Sequence, residues 1–242
     1  MDRMIYLSMA GAKAALQRQD TLANNLANVS TNGFRAELSA FRAVPVRGDG
    51  ASTRVYALET TPGYNGEQGA VANTGRNLDV AMKGNAWLGV QALDGTEAYT
   101  RAGALDVNSE GLLVTRSGLP VNGDGGPITV PPNAEVLVGT DGTISARTGT
   151  GKPTPIGKLK LVTPEAPLTR GTDGLFRTAD GQDLPADPKA QVQDGALEGS
   201  NVSPVETMVG MIAAARQFEH QMKLLSTAEK QDQQASKLLS ES

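Results

Sequence analysis

No cysteine occurs among the 242 residues, which excludes disulfides, thiolate-bound metal and a cysteine nucleophile. That absence fits any redox compartment, so it does not locate the chain. Histidine is a single residue, His220, and aromatic side chains make up only 4% of the sequence. His220 sits beside Glu219 on a helical stretch, away from any candidate nucleophile, where a solvated side chain accounts for it better than a general base. A basic surface is missing too. Lys and Arg number 22 against 26 Asp and Glu, for a net charge of −4, and no Lys/Arg cluster occurs. Nothing here suits nucleic-acid phosphates. No apolar run approaches the ~20 residues of a membrane helix, so membrane insertion is not expected.

Catalytic motifs are equally scarce. The Ser117-Gly118 pair lacks the G-x-S-x-G elbow. Gly149-Thr150-Gly151-Lys152 resembles a phosphate loop, but Ala146 stands where Gly is needed and Pro153 replaces the magnesium-binding Ser/Thr. Asn122-Gly123-Asp124-Gly125-Gly126 has calcium-loop letters without the later bidentate Glu, and a hairpin turn explains them. Asp79, Glu97, Asp106 and Glu110 are carboxylates that turns and strand edges commonly display, and no glycosidase pair is identified among them. The expectation is a protein that is not an enzyme and holds no cofactor or metal.

The N-terminus offers a weak leader pattern. Met4 to Ala12 is mildly apolar and Ala12-Lys13-Ala14 resembles a small-x-small cleavage site. Asp2 offsets Arg3, and Ser8 and Gly11 dilute the apolar run. The expectation is that any export leaves the chain uncleaved.

What the chain has is periodicity at both ends. Ser203-Pro204-Val205-Glu206 reads as a helix start, with Ser203 as cap, Pro204 at the first helical position and Glu206 completing a capping box. Met208, Met211, Ala215, Phe218, Met222 and Leu225 follow at alternating spacings of three and four, a heptad seam. No Gly or Pro interrupts the sequence after Met211, which predicts one helix of ~50 Å. At the other end, residues 3 to 29 place Ile5, Met9, Ala12, Leu16, Ala23 and Leu26 on a four-three rhythm, with Gln19 as the polar exception and Leu22 and Val29 widening the stripe. That helix should stop near Ser30-Thr31-Asn32-Gly33. Each helix alone is marginal in water, and the other is its natural cover.

Between them, residues 35–75 scatter Gly48, Gly50, Pro62, Gly63, Asn65-Gly66 and Gly69 through polar sequence. This predicts an extended, irregular connector with a strand or two, Arg54 to Leu58 being one candidate, and leaves a floppy linker as the alternative. From Asn77 onward short strands alternate with Gly-containing turns at intervals of roughly ten residues. They are Leu78–Met82, Ala86–Gln91, Glu97–Arg101, Ala104–Val107, Leu112–Thr115, Ile128–Val130, Glu135–Val138, Thr143–Ala146 and Ile156–Val162. A turn and strand follow at Asp173-Gly174-Leu175-Phe176, and Thr178 to Pro188 reads as loop. The expected fold is α+β: long N- and C-terminal helices (1–34 and 199–242) paired as a coiled-coil-like stalk, a connector over 35–75, and a central antiparallel all-β domain over 76–198. The strands do not alternate with helices, which argues against a doubly wound nucleotide fold.

Three segments then resemble one family. Leu22-Ala23-Asn24-Asn25-Leu26-Ala27-Asn28-Val29-Ser30-Thr31-Asn32-Gly33-Phe34 is similar to the N-terminal signature of bacterial flagellar rod and hook proteins. Glu198-Gly199-Ser200-Asn201-Val202-Ser203-Pro204-Val205-Glu206, with Met211-Ile212, Arg216, Phe218-Glu219 and Lys223, resembles the C-terminal motif. Asn77-Leu78-Asp79-Val80-Ala81, Gly84, Tyr99-Thr100-Arg101, Gly103 and Gly111-Leu112-Leu113-Val114 resemble the central β segment. The resemblance covers nearly the whole chain. Met1-Asp2-Arg3-Met4-Ile5-Tyr6, Phe41-Arg42-Ala43-Val44-Pro45-Val46 and the short length look most like proximal-rod members, with distal-rod members next. Phe218 stands where relatives often have Tyr, and Glu229 where many have Asp. Gln231 to Gln234 make the far end of the last helix more polar than a continuous seam.

The resemblance implies a structural subunit of the basal-body rod in the periplasmic space, exported by the flagellar apparatus and polymerised into a tubular drive shaft enclosing the export channel. Its partners would be copies of itself, neighbouring proximal and distal rod proteins and the export apparatus. The expected subunit interface is Leu16, Leu22, Asn24, Asn25, Leu26, Asn28, Val202, Met208, Met211, Ile212, Ala215, Phe218, Met222 and Leu225. Asn24 and Asn25 would hydrogen-bond between subunits and fix register, while Asn28 stands equally as helix-end capping. Two other readings compete: a monomeric glycan-binding or glycan-cleaving β protein at the cell wall, and an exported adhesin or effector with coiled-coil ends.

Overall fold

The computed structural model describes residues 2–45 and 55–240. It has a helix at each end and strands between, an α+β chain. The chain divides into two compact units: Met1–Val29, Ala36–Asn65 and Val202–Ser242 form a helical unit, and Ser30–Arg35 with Gly66–Asn201 form a β unit.

In the helical unit, α1 (Asp2–Ala27) and α2 (Pro204–Ser240) run antiparallel. Gly11 meets the Gln221 side chain, and Gly210 meets Leu22. The start of α2 carries the expected Ser203 cap. Glu206 N–H donates to Ser203 Oγ at 3.4 Å, and Thr207 N–H and Oγ1 both donate to Ser203 C=O, at 3.0 and 2.7 Å. The face that α1 turns inward is Ile5, Ser8, Ala12, Ala15, Gln19, Leu22 and Leu26. On α2 it is Thr207, Met211, Ala214, Phe218, Gln221, Leu225 and Ala228. Both are four-three stripes, yet each departs from the expected seam at every second position. Ser8, Ala15 and Leu22 replace Met9, Leu16 and Ala23, and Thr207, Ala214 and Gln221 replace Met208, Ala215 and Met222. The reason is steric. Gly11, Ala12, Ala15, Gly210 and Ala214 let the two backbones approach, and Met9, Leu16, Met208 and Met222 rotate outward.

Of the strand expected over Arg54 to Leu58, Arg54 lies outside the described residues, as do Gly48 and Gly50 of the connector. β1 (Glu37–Pro45) and β2 (Val55–Tyr64) pair antiparallel, with a register shift between Leu38 and Ala40.

The β unit carries β3 (Val71–Asn73), β4 (Val80–Met82), β5 (Trp87–Gln91), β6 (Glu97–Thr100), β7 (Leu105–Val107) and β8 (Leu113–Thr115). There follow β9 (Asn122–Gly123), β10 (Gly126–Pro127), β11 (Ala134–Val138), β12 (Thr143–Thr148), β13 (Thr154–Lys158) and β14 (Leu161–Val162). The last are β15 (Thr169–Arg170), β16 (Phe176–Arg177), β17 (Val192–Asp194) and β18 (Ala196–Glu198). Its largest sheet has the order β14-β5-β6-β16-β15, a second is β11-β12-β13, and the rest are two-stranded ribbons. Val80, Leu88, Val90, Leu105, Leu113, Val121, Ile144 and Val192 are wholly buried between them. Gly103 belongs to this packing by necessity: a Cβ there would lie 1.7 Å from Val80 C=O.

Two expected strands come out differently. Ile156–Val162 is not one strand but β13 and β14, in different sheets, because the chain changes partner between them. Leu159 N–H bonds Gly142 C=O and Lys160 N–H bonds Asn122 C=O, both at 2.8 Å. Ile128–Val130 forms an isolated bridge, Leu112 to Thr129, in place of a strand.

Turns of the unit are tied by carboxylates. Asp94 and Asp141 each accept from the backbone N–H and hydroxyl of the Thr two residues on. Those hydroxyl bonds hold both carboxyls below the usual Asp range, as the Thr163 hydroxyl does for Asp187 and the Arg177 guanidinium for Asp173. Depressed folded-state pKa values give stability that is present above the unfolded value, near ~3.9, and lost as pH falls through the folded ones. Urea titrations should show the β unit equally stable at pH 7 and 5 and progressively weaker below pH ~4, where these carboxyls take up protons.

Candidate functional site

The residues between α1 and β1, and those between β18 and α2, meet around one buried carboxylate. Glu198, Arg101 and Arg35 are 1%, 1% and 2% exposed. Glu198 Oε2 accepts from Arg101 Nε at 2.9 Å and NH2 at 2.5 Å, and Oε1 forms an ion pair with Arg35 NH1 at 2.5 Å. Gly69 N–H also donates to Oε1, at 3.1 Å. Arg101 places its remaining donors on carbonyls: NH1 on Gly84 and Ala86, NH2 on Met82. Every guanidinium N–H of Arg101 is thereby answered. Two cations share one anion, so the triad leaves a unit of positive charge in the interior.

Backbone bonds close the same seam. Gly33 N–H donates to Glu198 C=O at 2.8 Å, and Asn201 N–H to Phe34 C=O at 3.3 Å. Gly33 takes φ +71°, and a Cβ would come within 2.2 Å of the Arg101 carbonyl carbon, so only glycine fits.

An aromatic and cationic stack carries the clasp into the large sheet. The Arg170 guanidinium lies 4.4 Å from the Phe34 ring centre and 5.9 Å from that of Phe176. Phe176 packs on Trp87 at 4.6 Å and 54°, and Arg101 lies 5.9 Å from the Trp87 ring. In a chain with one Trp and four Phe, the Trp and two of the Phe gather here. Such contacts add roughly 0.5–1.5 kcal/mol each beyond area burial.

A cleft of about 490 Å³ opens among Glu97, Asn122, Asp124, Lys158, Lys160 and Asp187. Glu97 is taken up by Lys160 at 2.7 Å and by the Tyr99 hydroxyl at 2.8 Å. Burial pushes the Tyr99 phenol well up, and its oxygen accepts from Leu184 N–H. This network is a brace for β6. Among the described residues no group of His, Asp or Glu has metal-site geometry.

The expected interface residues divide by face. Leu22, Leu26, Met211, Ala215, Phe218 and Leu225 are half-buried, and Val202 is buried. Leu16, Met208, Ile212 and Met222 point outward, 44%, 51%, 55% and 43% exposed. Asn25 differs from its expected role. It is buried, Nδ2 donating to Glu37 C=O at 2.9 Å and Oδ1 accepting from Glu37 N–H at 2.8 Å. Its amide thus pairs with β1 as another strand would, within the chain. Asn28 Nδ2 turns back to Asn24 C=O at 2.9 Å and Oδ1 at 2.8 Å. Arg35, Arg101 and Glu198 were not singled out as site residues by sequence reasoning. The available signal was charged residues set beside Gly in otherwise uncharged runs, Tyr99-Thr100-Arg101-Ala102-Gly103 and Ala196-Leu197-Glu198-Gly199.

Three family models match the chain: "Flagella basal body rod protein" over residues 5–35, "Flagellar hook protein FlgE/F/G D1 domain" over 81–146 and "Flagellar basal body rod FlgEFG protein C-terminal" over 193–238. The flagellar basal-body rod protein FlgF of Salmonella typhimurium is 48% identical over 99% of both chains, and that of Escherichia coli 46% over 99% of both. The flagellar basal-body rod protein FlgG of Agrobacterium fabrum is 30% identical over 94% of this chain and 95% of its own.

Removing one member of a buried ion cluster costs about 3–5 kcal/mol. Glu198→Gln, which leaves two buried guanidinium charges without their counter-charge, should lower stability by about that amount in urea unfolding. Arg147→Ala, which breaks the half-exposed pair with Glu135, should change it by less than ~1 kcal/mol. Equal effects from the two substitutions would refute the clasp as a stabilising centre.

Proposed function

The chain belongs to the flagellar basal-body rod protein family, and on that premise we propose that its paired terminal helices are the polymerising element of a rod subunit. It is a structural subunit of the basal-body rod, similar to FlgF and so assigned to the proximal segment. Its role is mechanical, and no catalytic step is assigned to it.

The observation that carries the reading is the distribution of side-chain size on the helices. Ser8, Ala12, Ala15, Thr207 and Ala214 alternate with Leu22, Met211, Phe218 and Leu225 on the faces turned to the intrachain partner, while a second set of large apolar side chains, Val205, Met208, Val209, Ile212 and Met222 of α2, is 43–70% exposed. Tyr6, Met9 and Leu16 of α1 are likewise exposed. Apolar side chains standing at heptad spacing on the outer face need cover. Copies related by a helical operator supply it through heterologous contacts that do not close on themselves. In this reading the helices form a coiled-coil-like stalk, with Leu16, Met208, Ile212 and Met222 against neighbours, and Leu22, Leu26, Met211, Ala215, Phe218 and Leu225 continuing from the intrachain seam. Neighbours are copies of the chain and other rod proteins of the FlgG kind. The assembly stands in the periplasm, transmits torque and encloses the export channel, its subunits delivered uncleaved by the export apparatus. A distal position is the second reading, favoured by the FlgG relatives at 30% identity.

Ile212→Asp combined with Met208→Asp tests this. Both side chains are exposed in the single chain, so its unfolding free energy should shift by no more than about 0.5 kcal/mol for each. Incorporation into purified basal bodies, followed by immunoblot, should be lost together with motility. Intact rods and swimming cells would sink the assignment of this face.

A further inference from the structure

We infer that the outer edge of β3 receives an extended strand from a second copy of this chain, an inference that rests on the rod reading above. β3 lies on β18, with Val71, Ala72 and Asn73 opposite Glu198, Leu197 and Ala196. The flanking bonds fix which groups face inward: Gly199 N–H donates to Ala70 C=O at 2.8 Å, and Thr74 N–H to Gly195 C=O at 2.7 Å. Backbone groups alternate between the two sides of an antiparallel strand. Ala70, Ala72 and Thr74 therefore address β18, and the N–H and C=O of Val71 and Asn73 point away from it. Among the described residues nothing pairs with those four groups. All residues from Ala70 to Asn77 are exposed.

Edges of this kind are ordinarily blunted by Lys, Pro or a bulge. Between Gly66 and Gly75 there is no Lys, Arg or Pro, and Glu67 is the one charge. The strand is nevertheless held from behind. The clasp carboxylate Glu198 accepts from Gly69 N–H at 3.1 Å, Asn201 Nδ2 donates to Glu67 C=O at 2.8 Å, and Thr74 Oγ1 donates to Asp79 Oδ2 at 2.7 Å. A fixed edge loses little conformational freedom on docking, and main-chain hydrogen bonds supply the affinity of strand addition. The partner that suits it is another polypeptide backbone rather than a charged ligand, because the edge offers backbone donors and acceptors and almost no charge. A rod subunit meets its own copies at high local concentration, through contacts that need not be symmetric.

Hydrogen exchange resolved to single amides makes the test. In the purified full-length chain Val71 and Asn73 should exchange close to the unprotected rate, while Ala72 is protected; in isolated basal bodies Val71 and Asn73 should slow by at least about tenfold. A benzoylphenylalanine placed at Val71 should, on illumination of the same basal bodies, give an adduct of two copies of this chain by mass spectrometry. Unchanged exchange at Val71 and Asn73 in basal bodies that contain the chain would overturn this inference alone, as would adducts only with a different protein. Absence of the chain from basal bodies would overturn the rod reading and this inference with it.

Discussion

One carboxylate holds the β unit at its most distant points in sequence. Glu198 gathers Arg35, Arg101 and the Gly69 amide, three contacts that reach back across nearly the whole β unit. Ion clusters in a protein interior are weak evidence for stability by themselves, since desolvation offsets most of their Coulomb attraction. Their effect here is one of specification. A buried guanidinium with five fixed donors accepts very few arrangements of acceptors. Arg101 meets that demand with Glu198 and the carbonyls of Met82, Gly84 and Ala86, which fixes where β18 can sit. Everything downstream of that placement follows from it, including the Gly33 and Phe34 contacts and the ribbon of β3 on β18.

The helical unit obeys a different constraint. Its inner seam alternates Ser8, Ala12, Ala15, Thr207 and Ala214, which bury little apolar area, with the larger half-buried Leu22, Met211, Phe218 and Leu225. A further set of large apolar groups, among them Met9, Leu16, Met208, Val209, Ile212 and Met222, faces away from the intrachain partner. A monomer optimised for its own stability would do the reverse. The arrangement suits a chain whose helices gain most of their burial from neighbours, as expected for the non-closing symmetry of a rod.

Much of the fold was legible in the sequence, and the errors have physical causes. Both helices were readable because seven-residue periodicity persists over several turns; the start at Ser203-Pro204 follows from capping chemistry, while α1 ends at Ala27, a few residues before the expected stop near Ser30-Thr31-Asn32-Gly33. The inner seam was displaced at alternate positions because reading by hydrophobicity favours Met208 over Thr207 and Leu16 over Ala15. Close packing of two backbones favours the smaller residue, and that preference has no hydrophobic signature. The strands announced themselves through Asp-Gly turns, yet Ile156–Val162 read as one strand because a change of partner leaves alternation intact. Asn25 illustrates a further limit. Its letter fits an intersubunit amide and an intrachain strand mimic equally, and only the position of Glu37 separates the two. Buried ion clusters are the hardest to see, because Arg35, Arg101 and Glu198 come together from segments far apart.

The scarcity of aromatic residues gives the β unit an optical label of its own. Trp87 is the sole indole in the chain and is 2% exposed, with Phe176 on one side and the Arg101 guanidinium over its ring. Light absorbed by that ring beyond the tyrosine band samples the immediate surroundings of the ion cluster, because the two long helices carry no indole. Wetting of the indole red-shifts its emission, so the colour of the fluorescence follows the loosening of this one interior, while the helices declare themselves separately in the far ultraviolet.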